Sequence, residues 1–203
     1  MIVENIIDID KKKKKILLDN EYVFPLYNSE VKKFKLEAGQ EISDLLLDKI
    51  EKEVLYPRAK ERALYILDTG EKTRKQVEDK LTLSYYPKRI VDKVSNFLTE
   101  YGYIDDLRYI ELYVNAKSKK KSRRQIECEL LQKGIEKNDI REFYADKFDL
   151  SEEDALMSLL SKNKYVEMLK DKSSESKVFA AMARKGFNYE EITRCIAKIK
   201  ELN

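Results

Sequence analysis

The sequence predicts a mainly α-helical protein, a tandem array of three three-helix repeats of helix-turn-helix type, preceded by a small β-rich N-terminal domain. Three observations carry this expectation. The composition, 39% charged and 42% hydrophobic with 5 Gly and 3 Pro, suits amphipathic helices with solvated outer faces. The apolar pattern changes at Pro57 from short β-branched runs to helical spacing. Finally, one phrase is written three times: a capping residue, two apolar residues spaced by four, and, in two copies, a lysine-glycine stop.

Residues 1–53 form the predicted first domain. The runs Ile2-Val3, Ile6-Ile7-Asp8-Ile9, Ile16-Leu17-Leu18 and Tyr22-Val23-Phe24 predict two or three antiparallel strands. The lysines from Lys11 to Lys15 are read as a solvated hairpin tip and Asp19-Asn20 as a second turn. Val31, Phe34 and Leu36, then Ile42, Leu45, Leu46, Leu47 and Ile50, can close over one sheet face from two short helices broken at Gly39.

The repeats are expected at 57–104, 105–149 and 151–203. The phrase reads Thr73, Val77, Leu81, Ser84-Tyr85-Tyr86 in the first copy, Ser122, Ile126, Leu130, Lys133-Gly134-Ile135 in the second, and Ser174, Val178, Met182, Lys185-Gly186-Phe187 in the third. The copies lie 49 and 52 residues apart, room for three helices of about 12 residues with short turns. Leading helices carry Ala59, Ala63, Leu64 and Leu67; Leu107, Ile110, Tyr113 and Val114; Ala155, Leu156, Leu159 and Leu160. Trailing helices carry Ile90, Val94, Phe97 and Leu98; Ile140, Phe143 and Tyr144; Ile192, Cys195, Ile196 and Ile199. This spacing marks core faces.

Thr73-x-x-Gln76 and Ser122-x-x-Gln125 can form capping boxes, and Pro57 and Pro87 suit first helical turns. Asp105 can cap the next helix while Ile104 staples against Tyr109. With its own stripes and caps, the helical array is expected to fold without residues 1–50.

Several function classes are excluded. There is no histidine, which removes imidazole bases, histidine triads and imidazole zinc sites. Gly39, Gly70, Gly102, Gly134 and Gly186 stand alone, so no phosphate-cradling loop exists. Cys128 and Cys195 lack CxxC spacing and are read as buried, reduced thiols. No signal-like or membrane-spanning run occurs, and the expected location is the cytoplasm. A net charge of +3 is too small for whole-surface attraction to nucleic acid, so electrostatic binding must come from local clusters. No enzyme activity, metal or cofactor is expected.

Two strings carry candidate functions. In Tyr101-Gly102-Tyr103-Ile104-Asp105-Asp106 the paired carboxylates could do acid-base or metal chemistry, but capping and the helix dipole explain them more simply. The run from Lys117 to Arg124 places six cations, Lys117, Lys119, Lys120, Lys121, Arg123 and Arg124, in eight residues at a helix junction. Either it is a solvated face, or it forms a partner-binding stripe with Tyr109 and Tyr113 and with Arg74, Lys75, Lys88 and Arg89 at comparable places in copy one.

The Tyr-Gly-Tyr-Ile-Asp-Asp string at 101–106, Arg124-Gln125-Ile126-x-x-Glu129-Leu130, Lys133-Gly134-Ile135 and the Arg58-Ala59 start with Ala63-Leu64-x-x-Leu67 occur in an order that resembles the regulatory protein RecX family. The resemblance spans about residues 58 to 200, and the N-terminal section is similar to the extension of longer members. It implies a non-enzymatic modulator of the recombinase RecA, expected to be a monomer. Such a modulator binds the RecA filament, with a contact to single-stranded DNA, and restrains its ATPase, strand-exchange and coprotease activities. Three departures touch the contact residues: Ser122-Arg123 replaces a common Gly-Pro pair, copy one lacks its glycine stop, and Ile110 stands where a small residue is usual. The rival reading is a direct nucleic-acid-binding protein of helix-turn-helix type.

Overall fold

The computed structural model describes residues 1–19, 21–146, 152–171 and 173–201. It divides into two compact units, Met1–Asp105 and Asp106–Asn203. Among the described residues no helix is long and apolar enough to cross a membrane.

In the first unit, β1 (Val3–Asp8), β2 (Lys13–Leu18) and β3 (Val23–Tyr27) form an antiparallel sheet with β2 in the centre. Alternation turns Val3, Ile16, Leu18, Phe24 and Leu26 to one buried face. Lys13 to Lys15 are strand residues paired with Tyr27, Leu26 and Pro25, so only Lys11 and Lys12 remain at the hairpin tip. The expected tip is thus too long: Lys13 and Lys15 alternate to the face opposite Ile16, while Lys14, on the Ile16 side, pairs with Asp8 at 2.6 Å. Pro25 is tolerated because β3 is an edge strand. Of the second expected turn, Asn20 lies outside the described residues.

After α1 (Asn28–Lys33), α2 (Asp44–Ile50) runs through a π-helical turn at Glu51–Leu55 straight into α3 (Tyr56–Asp68). Pro57 lacks an amide hydrogen, and the wider turn, in which the Tyr56 amide reaches the Glu51 carbonyl, sits immediately before it. The π-turn also aims the Glu51 carboxylate inward, where it accepts from the Tyr22 hydroxyl and the Arg89 guanidinium. Helices α4 (Arg74–Leu83) and α5 (Lys88–Glu100) complete the first repeat. One continuous core runs from Val3 and Phe24 through Ile50, Leu55 and Ala59 to Val94 and Leu98. The sheet and the first repeat therefore share a core, which removes the physical basis for the repeat folding without residues 1–50.

The second unit contains α6 (Asp106–Lys117), α7 (Arg123–Gln132) and α8 (Lys137–Asp146), packed around Ile110, Val114, Ile126, Leu130, Ile135, Ile140 and Tyr144. Leu107, placed in the leading stripe from sequence, is 54% exposed. Helices α9 (Glu153–Leu160), α11 (Glu175–Arg184) and α12 (Tyr189–Glu201) surround a core of their own, with a short additional helix α10 (Asn163–Leu169) in between. Cys195 is buried as expected, but Cys128 is exposed, because it falls on the solvent side of α7 opposite Ile126 and Leu130.

Candidate partner-binding site

The basic run occupies the junction between α6 and α7. Helix α6 ends at Lys117, and Lys119 and Lys120 form an exposed turn. Ser122 then caps α7: its hydroxyl accepts from the Gln125 amide at 3.2 Å, and the Gln125 side chain returns to the Ser122 amide at 3.4 Å. Ser122 is fully buried because its hydroxyl also donates to the Lys185 carbonyl, at the end of α11.

The aromatic side of the junction is built on α6. Tyr109 and Tyr113, one turn apart, stack with centroids 6.0 Å apart and planes at 14°. The Lys117 and Lys133 ammonium groups lie 5.9 and 5.3 Å from the Tyr113 ring centroid. The Tyr113 hydroxyl donates to Glu129 at 2.7 Å, and Lys121 donates to the other oxygen of that carboxylate. These bonds, that of Lys121 foremost, hold the Glu129 carboxyl below its usual range. Desolvation, then the bond to Glu129, pushes the Tyr113 hydroxyl up to about 12, so it stays a donor at neutral pH.

The cations of the run are not equivalent. Lys121 is bound to Glu129, and Arg123 pairs with Glu127 at 2.7 Å while its guanidinium lies 4.1 Å from the Tyr144 ring centroid. The first amide of α7, that of Arg123, donates to Glu152, a half-buried carboxyl that desolvation holds above its usual range. Lys119 and Lys120 have no ion-pair partner among the described residues. Arg124 has none either, since Cys128 stands one turn on, where Lys75 of the first repeat has Asp79.

Arg124 instead packs its aliphatic stem beneath Gly186, where an added Cβ would come within 2.8 Å of the Arg124 Cβ. Gly186 has φ +91°, a backbone state that favours glycine. Gly186→Ala is therefore expected to destabilise the second unit by about 1–2 kcal/mol from backbone strain alone, with the clash added, measured by urea unfolding.

The copy-one cations are engaged locally. Arg74 binds Glu78 at 2.8 Å and Asn96 at 2.7 Å, Lys75 binds Asp79 at 2.7 Å, Lys88 binds Asp92 at 2.9 Å, and Arg89 binds Glu51. The bonds of Arg74 to Asn96 in α5 and of Arg89 to Glu51 are tertiary ties; the helical i, i+4 pairs are surface features of small energy. Asp106 opens α6, and among the described residues no three Asp, Glu, Cys or His side chains converge as a metal site. Sequence reasoning missed Glu129, Lys133 and Gly186, which join the site only through folding.

Comparison with known proteins agrees with this architecture. Residues 105–142 match the family model described as RecX, second three-helix domain. The chain is 30% identical to regulatory protein RecX of Clostridium tetani, over 95% of this chain and 92% of that one. It is 31% identical to regulatory protein RecX of Clostridium beijerinckii, over 95% and 93% of the two chains. A crystal structure of regulatory protein RecX shares the fold with a TM-score of 0.62, at 23% identity, covering 95% of this chain and 98% of that one. Similarity over nearly the full length of both chains, with the helical repeat in the same order, means that this chain belongs to the RecX family of regulatory proteins.

Proposed function

We propose that this protein is a non-catalytic regulator of the RecA recombinase. It binds the RecA filament on single-stranded DNA and restrains its ATP hydrolysis, strand exchange and coprotease activity. Family membership supports the regulatory role, and the observation that carries the contact is the α6–α7 junction. There Lys119, Lys120 and Arg124 stand without carboxylate partners among the described residues, Lys117 and Lys133 lie over the ring of Tyr113, which stacks with Tyr109, and the copy-one cations are neutralised. Unpaired cations on a junction that also carries aromatic rings suit an anionic partner, phosphate or acidic protein surface.

The triple variant Lys119→Gln, Lys120→Gln, Arg124→Gln tests this contact. The helices are expected to survive, since Ile126 and Leu130 carry the packing of α7. Affinity for a RecA filament on labelled single-stranded DNA, read by fluorescence anisotropy, is expected to fall. If the contact is phosphate, the salt dependence also flattens by about 0.7 counterions per lost single-strand contact, and free single-stranded DNA competes. If it is acidic protein, free DNA competes poorly. Unchanged affinity would make the run a solvated face.

A further inference from the structure

The first repeat closes its second helix with the same backbone device as the other two, but with a different residue. The amides of Tyr86, Ile135 and Phe187 reach back to the carbonyls of Leu81, Leu130 and Met182 at 3.2, 3.1 and 3.4 Å. In each case the residue before that amide takes a left-handed backbone: Gly134 at φ +82°, Gly186 at +91°, and Tyr85 at +67°. Glycine performs this turn without strain, so the turn does not explain the tyrosine. Strain of this kind gathers at functional sites.

Tyr85 borders a pocket of about 220 Å³ between the β1–β2 hairpin, α3 and the α4–α5 turn, lined also by Lys13, Arg58, Arg62, Leu83 and Tyr86. Arg58 is paired with Glu30, whereas Lys13 and Arg62 have no carboxylate partner among the described residues. The lining carboxylate Asp10 is committed to the hairpin, accepting from the amides of Lys12 and Lys13 at 2.7 and 2.9 Å. Lys15 adds a further cation, its ammonium 5.1 Å from the Tyr85 ring centroid.

Tyr86 is only 7% exposed, and its hydroxyl has no hydrogen-bond partner among the described residues. That hydroxyl lies within the field of Arg58 and Arg62, and burial pushes it up to about 12, so it keeps its proton at neutral pH. As a pocket-lining group, this hydroxyl is free to donate to a ligand there.

An ammonium, guanidinium groups and a phenol around one small space offer more donors than a planar carboxylate can use, and they suit a tetrahedral phosphate. Beside them Tyr85, 40% exposed, and Leu83, 79% exposed, offer a flat apolar surface of the kind on which bases stack. We propose that this pocket binds a nucleotide, with its phosphate held by Arg62, Lys13 and the Tyr86 hydroxyl and its base on Tyr85. The nucleotide is either free or one unit of a single strand. The site is in a different unit from the Lys117–Arg124 junction and does not depend on the reading given for that junction.

The test uses the full chain with two fluorescent probes, labelled ATP and labelled oligo-dT, in anisotropy titrations of four variants. Arg62→Gln is expected to weaken binding about tenfold, as loss of a charge-assisted contact does, and Tyr86→Phe to weaken it several-fold. Tyr85→Gly is the sharpest variant: it reproduces the turn of the other two copies, so stability is expected to rise while binding falls. Lys80→Gln, an exposed cation outside the pocket, is expected to change nothing. Binding of ATP that responds to these variants identifies free nucleotide as the ligand; a response confined to oligo-dT identifies a strand. The proposal is overturned if neither probe binds, if Arg62→Gln or Tyr85→Gly binds as well as the unaltered chain, or if Lys80→Gln weakens binding equally.

Discussion

Replacing Phe24 with alanine is expected to lower the stability of the first unit by about 3–5 kcal/mol and to unfold the first helical repeat together with the sheet. Phe24 is fully buried, and it belongs to the same continuous core as Ala59, Val77 and Val94 of α3, α4 and α5. A hole in the sheet face thus removes packing from the helices above it, and Glu51 reinforces the coupling by binding Tyr22 beside β3 and Arg89 in α5. The helices around Leu130 and around Leu156 have separate cores and are expected to stay folded. Urea unfolding followed by far-ultraviolet circular dichroism would then show one early helical transition and one unchanged. Loss of sheet signal with the full helical signal retained would show that the first repeat stands alone.

The contrast between this coupling and the sequence expectation shows which physics is local. Capping at Thr73 and Ser122, the apolar stripes of α5, α9 and α12, and the glycine stops at Gly134 and Gly186 are decided within a few residues, so they are readable from the chain. The family resemblance was legible for the same reason, because its motifs are the caps, stripes and stops of the repeat. The π-turn before Pro57 was not legible, since it depends on how α2 and α3 together meet the sheet. Nor was the partial neutralisation of the basic run: Lys121 finds Glu129 eight residues on, and Arg124 meets Gly186 through a contact 62 residues away in sequence. Tyr85 taking the glycine conformation was hidden as well, because sequence alone shows only a missing stop.

The candidate site was therefore half visible. Lys119, Lys120 and Arg124 keep no ion-pair partner among the described residues and stay the proposed contact. Arg89 has been reassigned to a structural tie with Glu51, Arg74 to a local pair with Glu78 and a tie to Asn96 of α5, and Lys75 and Lys88 to local pairs along their helices. A charge run shows where cations are, but only folding shows which of them already have a partner.

Regulation of the filament itself is tested most directly by RecA-driven ATP hydrolysis on single-stranded DNA, followed as this protein is added from far below to equimolar amounts. A regulator that obstructs filament growth acts on many protomers through few contacts, so hydrolysis is expected to fall well before equimolar protein is reached. Hydrolysis that stays unchanged at equimolar protein would contradict the proposed function.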